Sequence, residues 1–354
     1  MIGLENLGNT CYMNSVLQCL NHTKFKYAVM EEPNGGELIQ ELKHLFRELD
    51  ANGNTKQNIN IGNKSSRMVK IKESKVHRKN GYLYFCQNDI ESFQEEPFGI
   101  YKNNNNAIHP IDLKDLIDSK TRKFWGNDTH DCVEFFVIFL DLLKYESNAI
   151  YLFLIKAKVV SEIYHYQEKP YFSCFGSSTK LNKNTDQIVD KDDSFYLNIP
   201  IKGSHDDLSI LINEYLNPKK LSGNVTGTEQ ITITHFPEIL VINLRRISKN
   251  YYYENFIRYP EELNLSFLTC SQDKNLNSSS TYQRSYNSYN QHQKNIYKLK
   301  AFIIHEGNSF SGHKIAICFD KRSNRWLKYD DSHVNVCNNP FKQDLAFLFF
   351  YEKV

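Results

Sequence analysis

Apolar residues recur near the start of the chain at Met13, Val16, Leu17 and Leu20, the i, i+3, i+4, i+7 stripe of a helix buried along one side. Gly3 and Gly8 punctuate the segment before it, and Asn9 and Thr10 are residue types that cap helix N-termini. Leu38, Leu42, Leu45 and Phe46 form a second stripe, predicting an amphipathic helix over 36–49. From Asp50 the chain turns polar and rich in Asn and Lys, so 52–107 is expected to be a surface insertion. Helical periodicity returns over 111–117 and 124–144, where Val133, Phe136, Val137, Leu140 and Leu143 are the expected core positions. Residues 1–150 are therefore predicted to be mainly helical.

After Tyr151 the patterning becomes strand-like, over 157–166, 194–201, 231–234 and 239–244, the last two split by Phe236-Pro237. A Ser-, Asn-, Gln- and Tyr-rich run, 271–295, is expected to be a mobile loop. Four short apolar runs between turn residues follow, at 297–305, 314–319, 325–329 and 345–351. No internal repeat is present. A helical half followed by a strand-rich half predicts an α+β fold, and 354 residues suffice for one large domain with a sizeable core.

With 40% hydrophobic and 24% charged residues and a net charge of +2, the chain has no steer toward nucleic acid or membrane. The basic run 64–79 reads as part of the solvated insertion rather than a nucleic-acid patch. The most apolar region, 132–160, is interrupted by Glu134, Asp141, Lys144 and Glu146, which argues against a membrane span. Eight cysteines, at 11, 19, 86, 132, 174, 270, 318 and 337, lack both a disulfide framework and a C-x-x-C zinc pattern. With no basic-then-apolar leader, a reducing, intracellular compartment is expected.

Cys11 falls at the start of the first predicted helix, where free N–H groups and the helix dipole favour a thiolate over a thiol. It is a candidate nucleophile provided a base sits beside it. Otherwise a cysteine is a small buried apolar residue, which is the reading given to Cys19. A base and its orienting group are available near the other end of the chain. His313 leads into the strand 314–319, and Asp330 closes the strand 326–329, with the turn 320–324 between them. Antiparallel pairing would make His313 and Asp330 neighbours, and a carboxylate there would fix the imidazole tautomer. Nothing in this pattern by itself brings them to Cys11.

The segment Gly3-Leu4-Glu5-Asn6-Leu7-Gly8-Asn9-Thr10-Cys11-Tyr12-Met13-Asn14-Ser15 closely resembles the Cys box of the ubiquitin-specific proteases, the papain-like cysteine deubiquitinases. Gly312-His313, followed by Trp326-Leu327-Lys328-Tyr329-Asp330-Asp331-Ser332, resembles their His box. Asp131-Cys132-Val133-Glu134-Phe135 resembles the central acidic-helix motif, and 237–246 the central palm strand. The resemblance implies a hand-shaped fold of helical thumb (1–150), β-rich palm and reduced fingers (151–354). It implies Cys11 as nucleophile, His313 as base, Asp330 as orienter and Asn6 as oxyanion donor. Asp131, Glu134, His305 and Gly312 are implied contacts of the ubiquitin C-terminal tail. Asp331 is open between assisting His313 or a water and a solvated surface role. The activity implied is thiol-dependent hydrolysis of the isopeptide or peptide bond after the last glycine of ubiquitin, by a monomer acting on ubiquitinated proteins.

Several positions depart from the family pattern. Two C-x-x-C pairs that hold zinc in the family's fingers are reduced to Cys174, so no metal or cofactor is expected. Thr129 and His130 replace two glutamines, Lys314 an aromatic and Ser311 a frequent glycine. These leave open a catalytically weak ubiquitin-binding scaffold or a protease for another ubiquitin-like modifier.

Overall fold

The computed structural model describes residues 1–51, 107–147, 150, 196–201, 206–217, 236–248, 251–266, 295–307 and 312–354, with the backbone of strands at 77–79, 82–84, 158–165, 188–193, 219–220 and 227–233. Helices α1 (Cys11–Asn21), α2 (Lys24–Glu31), α3 (Glu37–Ala51), α4 (Ile111–Thr121) and α5 (Cys132–Glu146) come first; α6 (Leu208–Leu216) lies among the strands. Between α3 and α4, β1 (His77–Lys79) and β2 (Tyr82–Tyr84) pair as a hairpin inside the stretch expected to be a surface insertion. Its other residues, 52–76, 80–81 and 85–106, lie outside the described residues, as do 271–294 and the expected reduced-fingers cysteine, Cys174.

A four-stranded sheet is built from β3 (Lys158–His165), β4 (Ile188–Asp193), β6 (Lys219–Lys220) and β7 (Gly227–Ile233). A larger sheet runs in the order β15-β14-β13-β12-β16-β8-β5, with β11 also on β12. Its members are β5 (Leu197–Pro200), β8 (Ile239–Arg245), β11 (Glu262–Asn264), β12 (Ile296–Gly307), β13 (Gly312–Asp320), β14 (Arg325–Asp330), β15 (His333–Val336) and β16 (Ala346–Lys353). The short pair β9 (Ile247–Ser248) and β10 (Tyr251–Tyr252) follows β8. All pairings in the large sheet are antiparallel except β5 with β8.

This sheet divides two cores. Alternate residues of a strand point to opposite faces, so Leu348 and Phe350 of β16 and Ile303 of β12 face the helices, meeting Met13, Leu17 and Phe139. Phe349, Tyr351 and Phe302 face the other way, toward Leu208 and Ile212 of α6. Burial on both faces explains why these strands read as continuous apolar runs without alternation. Helix α1 is buried along its whole length. No described helix is long and apolar enough to cross a membrane.

Three local expectations are corrected. α5 begins at Cys132, eight residues after the predicted start; Arg122 and Gly126 have positive φ, and the Asp131 side chain accepts from the N–H groups of Val133 and Glu134 to cap the helix. Val137 is only half-buried, whereas Phe135 and Phe139 lie in the core. Asn295, at the end of the expected mobile loop, is buried. Helices α2 and α6 were not anticipated.

Candidate active site

The loop before α1 turns through two successive left-handed residues, Gly8 (φ 102) and Asn9 (φ 57), and delivers Cys11 as the first residue of the helix. Its backbone N–H therefore has no intrahelical acceptor. Thr10 stands at the N-cap without capping through its side chain; its hydroxyl instead accepts from the Leu7 N–H at 2.9 Å.

His313 and Asp330 lie on neighbouring strands β13 and β14, joined by a turn in which Asn324 takes φ 54. His313 Nε2 bonds Asp330 Oδ1 at 2.7 Å. With Nε2 engaged by Asp330, Nδ1 is the ring nitrogen left to serve Cys11, whose thiol is near enough to act on the His313 pKa. α1 is fixed against this hairpin at its far end as well. His22 donates from Nδ1 to the Gln18 carbonyl (2.8 Å), so in the neutral ring Nε2 accepts from the Tyr329 hydroxyl (2.9 Å).

The neighbouring Cys11 side chain, opposed by partial burial and reinforced by Asp330 and Asp331, raises His313 from its ordinary value to about 9. A group raised in the folded state contributes stability that is fully present below its unfolded pKa of about 6.5 and is lost as pH rises through about 9. Histidine-ring NMR is expected to follow His313 titrating near pH 9. Cys11→Ala is expected to lower that midpoint more than Asp330→Asn does. A wild-type midpoint below 7 would contradict this account of the pair.

Asn6 is exposed, yet its amide is fixed. Oδ1 accepts from the N–H groups of Gly8 (3.1 Å) and Thr10 (3.0 Å), and Nδ2 donates to Asp331 Oδ2 (2.7 Å). One amide hydrogen remains free to meet a developing oxyanion. Asp331, left open by the sequence, is not solvated surface: its side chain is only 11% exposed and lies 3.8 Å from His313 Nε2. Gly3 allows this approach, because a Cβ there would fall 2.2 Å from the Asp331 carbonyl oxygen. His313, Asp330 and Asp331 place three ligand-type atoms within 4.8 Å. Amide donors already occupy both Asp331 oxygens, which leaves that carboxylate poorly placed to ligate a cation.

Beside His313 opens a cleft of about 730 Å³ between the start of α5 and the large sheet. All four residues expected to meet a substrate tail, Asp131, Glu134, His305 and Gly312, line it. Asp131 also caps α5, and Glu134 pairs with Lys123 at 2.6 Å. A Cβ at Gly312 would lie 2.1 Å from His305 Nε2, so a side chain there would displace the His305 ring from the cleft wall. Lys314 stands opposite His305 in register and adds an ammonium to the same wall, and Thr129 and His130 contribute to the facing one. His130 packs edge-on against Tyr12 and Phe124. Sequence reasoning missed Arg246, whose buried guanidinium donates to the carbonyls of Ala346, Tyr253, Asn255 and Asp344 and stiffens the back of the cleft. Burial lowers its pKa to about 10.

The family model described as ubiquitin carboxyl-terminal hydrolase matches residues 2–351. Ubiquitin carboxyl-terminal hydrolase Usp2 of Drosophila melanogaster is 25% identical over 388 residues, spanning 100% of this chain and 35% of the relative. Ubiquitin carboxyl-terminal hydrolase 8 of Saccharomyces cerevisiae is 23% identical over 372 residues, spanning 99% of this chain and 70% of the relative. The chain thus covers about a third of the first relative and over two thirds of the second. Among solved structures, a SAGA DUB module containing Ubp8 bound to monoubiquitin has a TM-score of 0.61 at 17% identity, over 100% of this chain and 69% of that one. The module bound to ubiquitin aldehyde gives 0.61 at 18%, over 100% and 70%. At these identities the structural likeness is one of fold.

Proposed function

The chain belongs to the ubiquitin carboxyl-terminal hydrolase family, and from that premise we propose that it is a cysteine-type deubiquitinase cleaving after the last glycine of ubiquitin. The observation that carries the reading is the position of His313, hydrogen-bonded to Asp330, close enough to Cys11 for the thiol to raise its pKa, and flanked by the cleft residues Gly312 and Lys314. In this mechanism the tail of ubiquitin lies along the cleft between Asp131 and Glu134 on one wall and His305 and Gly312 on the other. The Cys11 thiolate attacks the terminal glycine carbonyl, forming the C–S bond. Asn6 Nδ2–H and the Cys11 backbone N–H receive the oxyanion. Imidazolium His313 gives its proton to the departing lysine amine as the C–N bond breaks, leaving a thioester. Neutral His313 then takes a proton from water, whose oxygen attacks the thioester and releases the ubiquitin carboxylate and the Cys11 thiolate. Asp330 orients the ring throughout. The enzyme acts as a monomer on ubiquitinated proteins in a reducing, intracellular compartment, where the free thiols of Cys11 and the other described cysteines persist.

Steady-state hydrolysis of fluorogenic C-terminal amides of ubiquitin and of other ubiquitin-like modifiers tests the reading. Ubiquitin is expected to be preferred by about 100-fold or more in kcat/KM, since a cleft built to pair specific polar groups rejects tails that lack them. Turnover of another modifier alone would reassign the substrate, and tight ubiquitin binding without turnover would make the chain a scaffold.

A further inference from the structure

Asn14 takes no part in the mechanism above, yet it is buried beside it. Its Nδ2 donates to Asp331 Oδ1 at 2.8 Å and to the Glu5 carbonyl at 3.1 Å. Its Oδ1 has no protein donor, so the two N–H bonds are its polar anchorage. We propose that Asn14 is a positioning residue for the reaction: by holding one oxygen of Asp331 it turns the other toward Asn6 and so aims the free Asn6 N–H at the oxyanion. This inference rests on the proposed deubiquitinase reading.

A carboxylate bonded through one oxygen still rotates about its terminal torsion, which is broad. Asp331 is bonded through both, Oδ1 to Asn14 and Oδ2 to Asn6. Asn6 in turn sits on an exposed loop whose own hydrogen bonds, from Gly8 and Thr10, hold only its carbonyl oxygen. The nitrogen end of the amide depends on Asp331. Asn14 follows Cys11 by three residues on α1, so the two lie on the same face of one helical turn. The oxyanion donor is thereby referenced to the nucleophile through a rigid helix rather than through the loop that carries it. A donor held off its target loses most of its value, because preorganisation is what makes such a hydrogen bond effective in the transition state.

The test is a double-mutant cycle on ubiquitin amide hydrolysis with Asn14→Leu and Asn6→Ala, plus the size-conserving Asn14→Asp. Removing an oxyanion donor typically lowers kcat by about 100- to 1,000-fold, so Asn14→Leu, acting through that donor, is expected to lower it by about tenfold or more with KM within about twofold. In the Asn6→Ala background the same change is expected to add less than about twofold, the signature of residues that act as a unit. Asn14→Asp sets two carboxylates against each other, and its activity relative to wild type is expected to rise as pH falls and one of them gains the proton that restores a donor. Alkylation of Cys11 by iodoacetamide is expected to match wild type in all three variants. Equal losses from Asn14→Leu with and without Asn6, or unchanged kcat in both Asn14 variants, would overturn the inference. Parallel loss of alkylation and melting temperature in both variants would overturn it in favour of a structural role. Wild-type protein alkylated normally but inert toward ubiquitin amide would instead defeat the deubiquitinase reading, and this inference with it.

Discussion

Cys11→Ala is expected to abolish turnover of ubiquitin conjugates while leaving the fold and ubiquitin binding in place. The substitution removes one sulfur atom from a nearly buried position at the first turn of α1. Alanine is the best helix former, and the side chain lost makes no part of the cleft wall. A thioester needs a thiol, and the neighbouring Cys132 is fully buried. Loss of a nucleophile whose action is tied to its base costs on the order of 10⁶ in kcat. Calorimetric titration with ubiquitin alongside the rate assay checks both halves. Residual turnover within about 100-fold of wild type would mean that Cys11 is not the nucleophile.

His313→Ala is the second large effect. The imidazole takes part twice in each turnover, as acid toward the leaving amine and as base toward water, so its removal disables both halves. Members of such a unit, removed singly, each cost nearly as much as the whole, again on the order of 10⁶. The variant is also expected to lose the rapid alkylation of Cys11 at pH 6 that an imidazolium partner sustains. His313→Gln, which retains a hydrogen-bonding side chain without a titrating proton, is expected to behave the same way. Stopped-flow alkylation together with steady-state rates measures this. A variant that kept wild-type alkylation at pH 6 would place the base elsewhere.

Local patterns carried much of this site. The α1 stripe put Cys11 at a helix start, and the β13–β14 hairpin made His313 and Asp330 neighbours within 17 residues of chain. The oxyanion network was not legible, because Asn14 and Asp331 are 317 residues apart and nothing local in either signals the other. The start of α5 was misplaced because Phe124 and Trp125 were joined to the apolar stripe across the polar run 126–131, while the physical stop signals are the positive φ of Arg122 and Gly126 and the Asp131 cap. α2 escaped notice since only Phe25 and Val29 of its eight residues are buried, too few to establish a period. α6 has a clear stripe, Leu208, Leu211, Ile212 and Leu216, hidden by the strand patterns on either side. In the large sheet the sequence patterns reached every strand except β11 and β15, but not the strands' faces, because both are apolar.

Intact-mass and peptide-mapping analysis after reaction with ubiquitin bearing an electrophilic C-terminal group is the most direct measurement of the central claim. The expected result is one ubiquitin per chain, attached to Cys11 and absent from Cys11→Ala. A folded protein that forms no adduct, or one whose adduct maps to another thiol such as the half-buried Cys337, would contradict it.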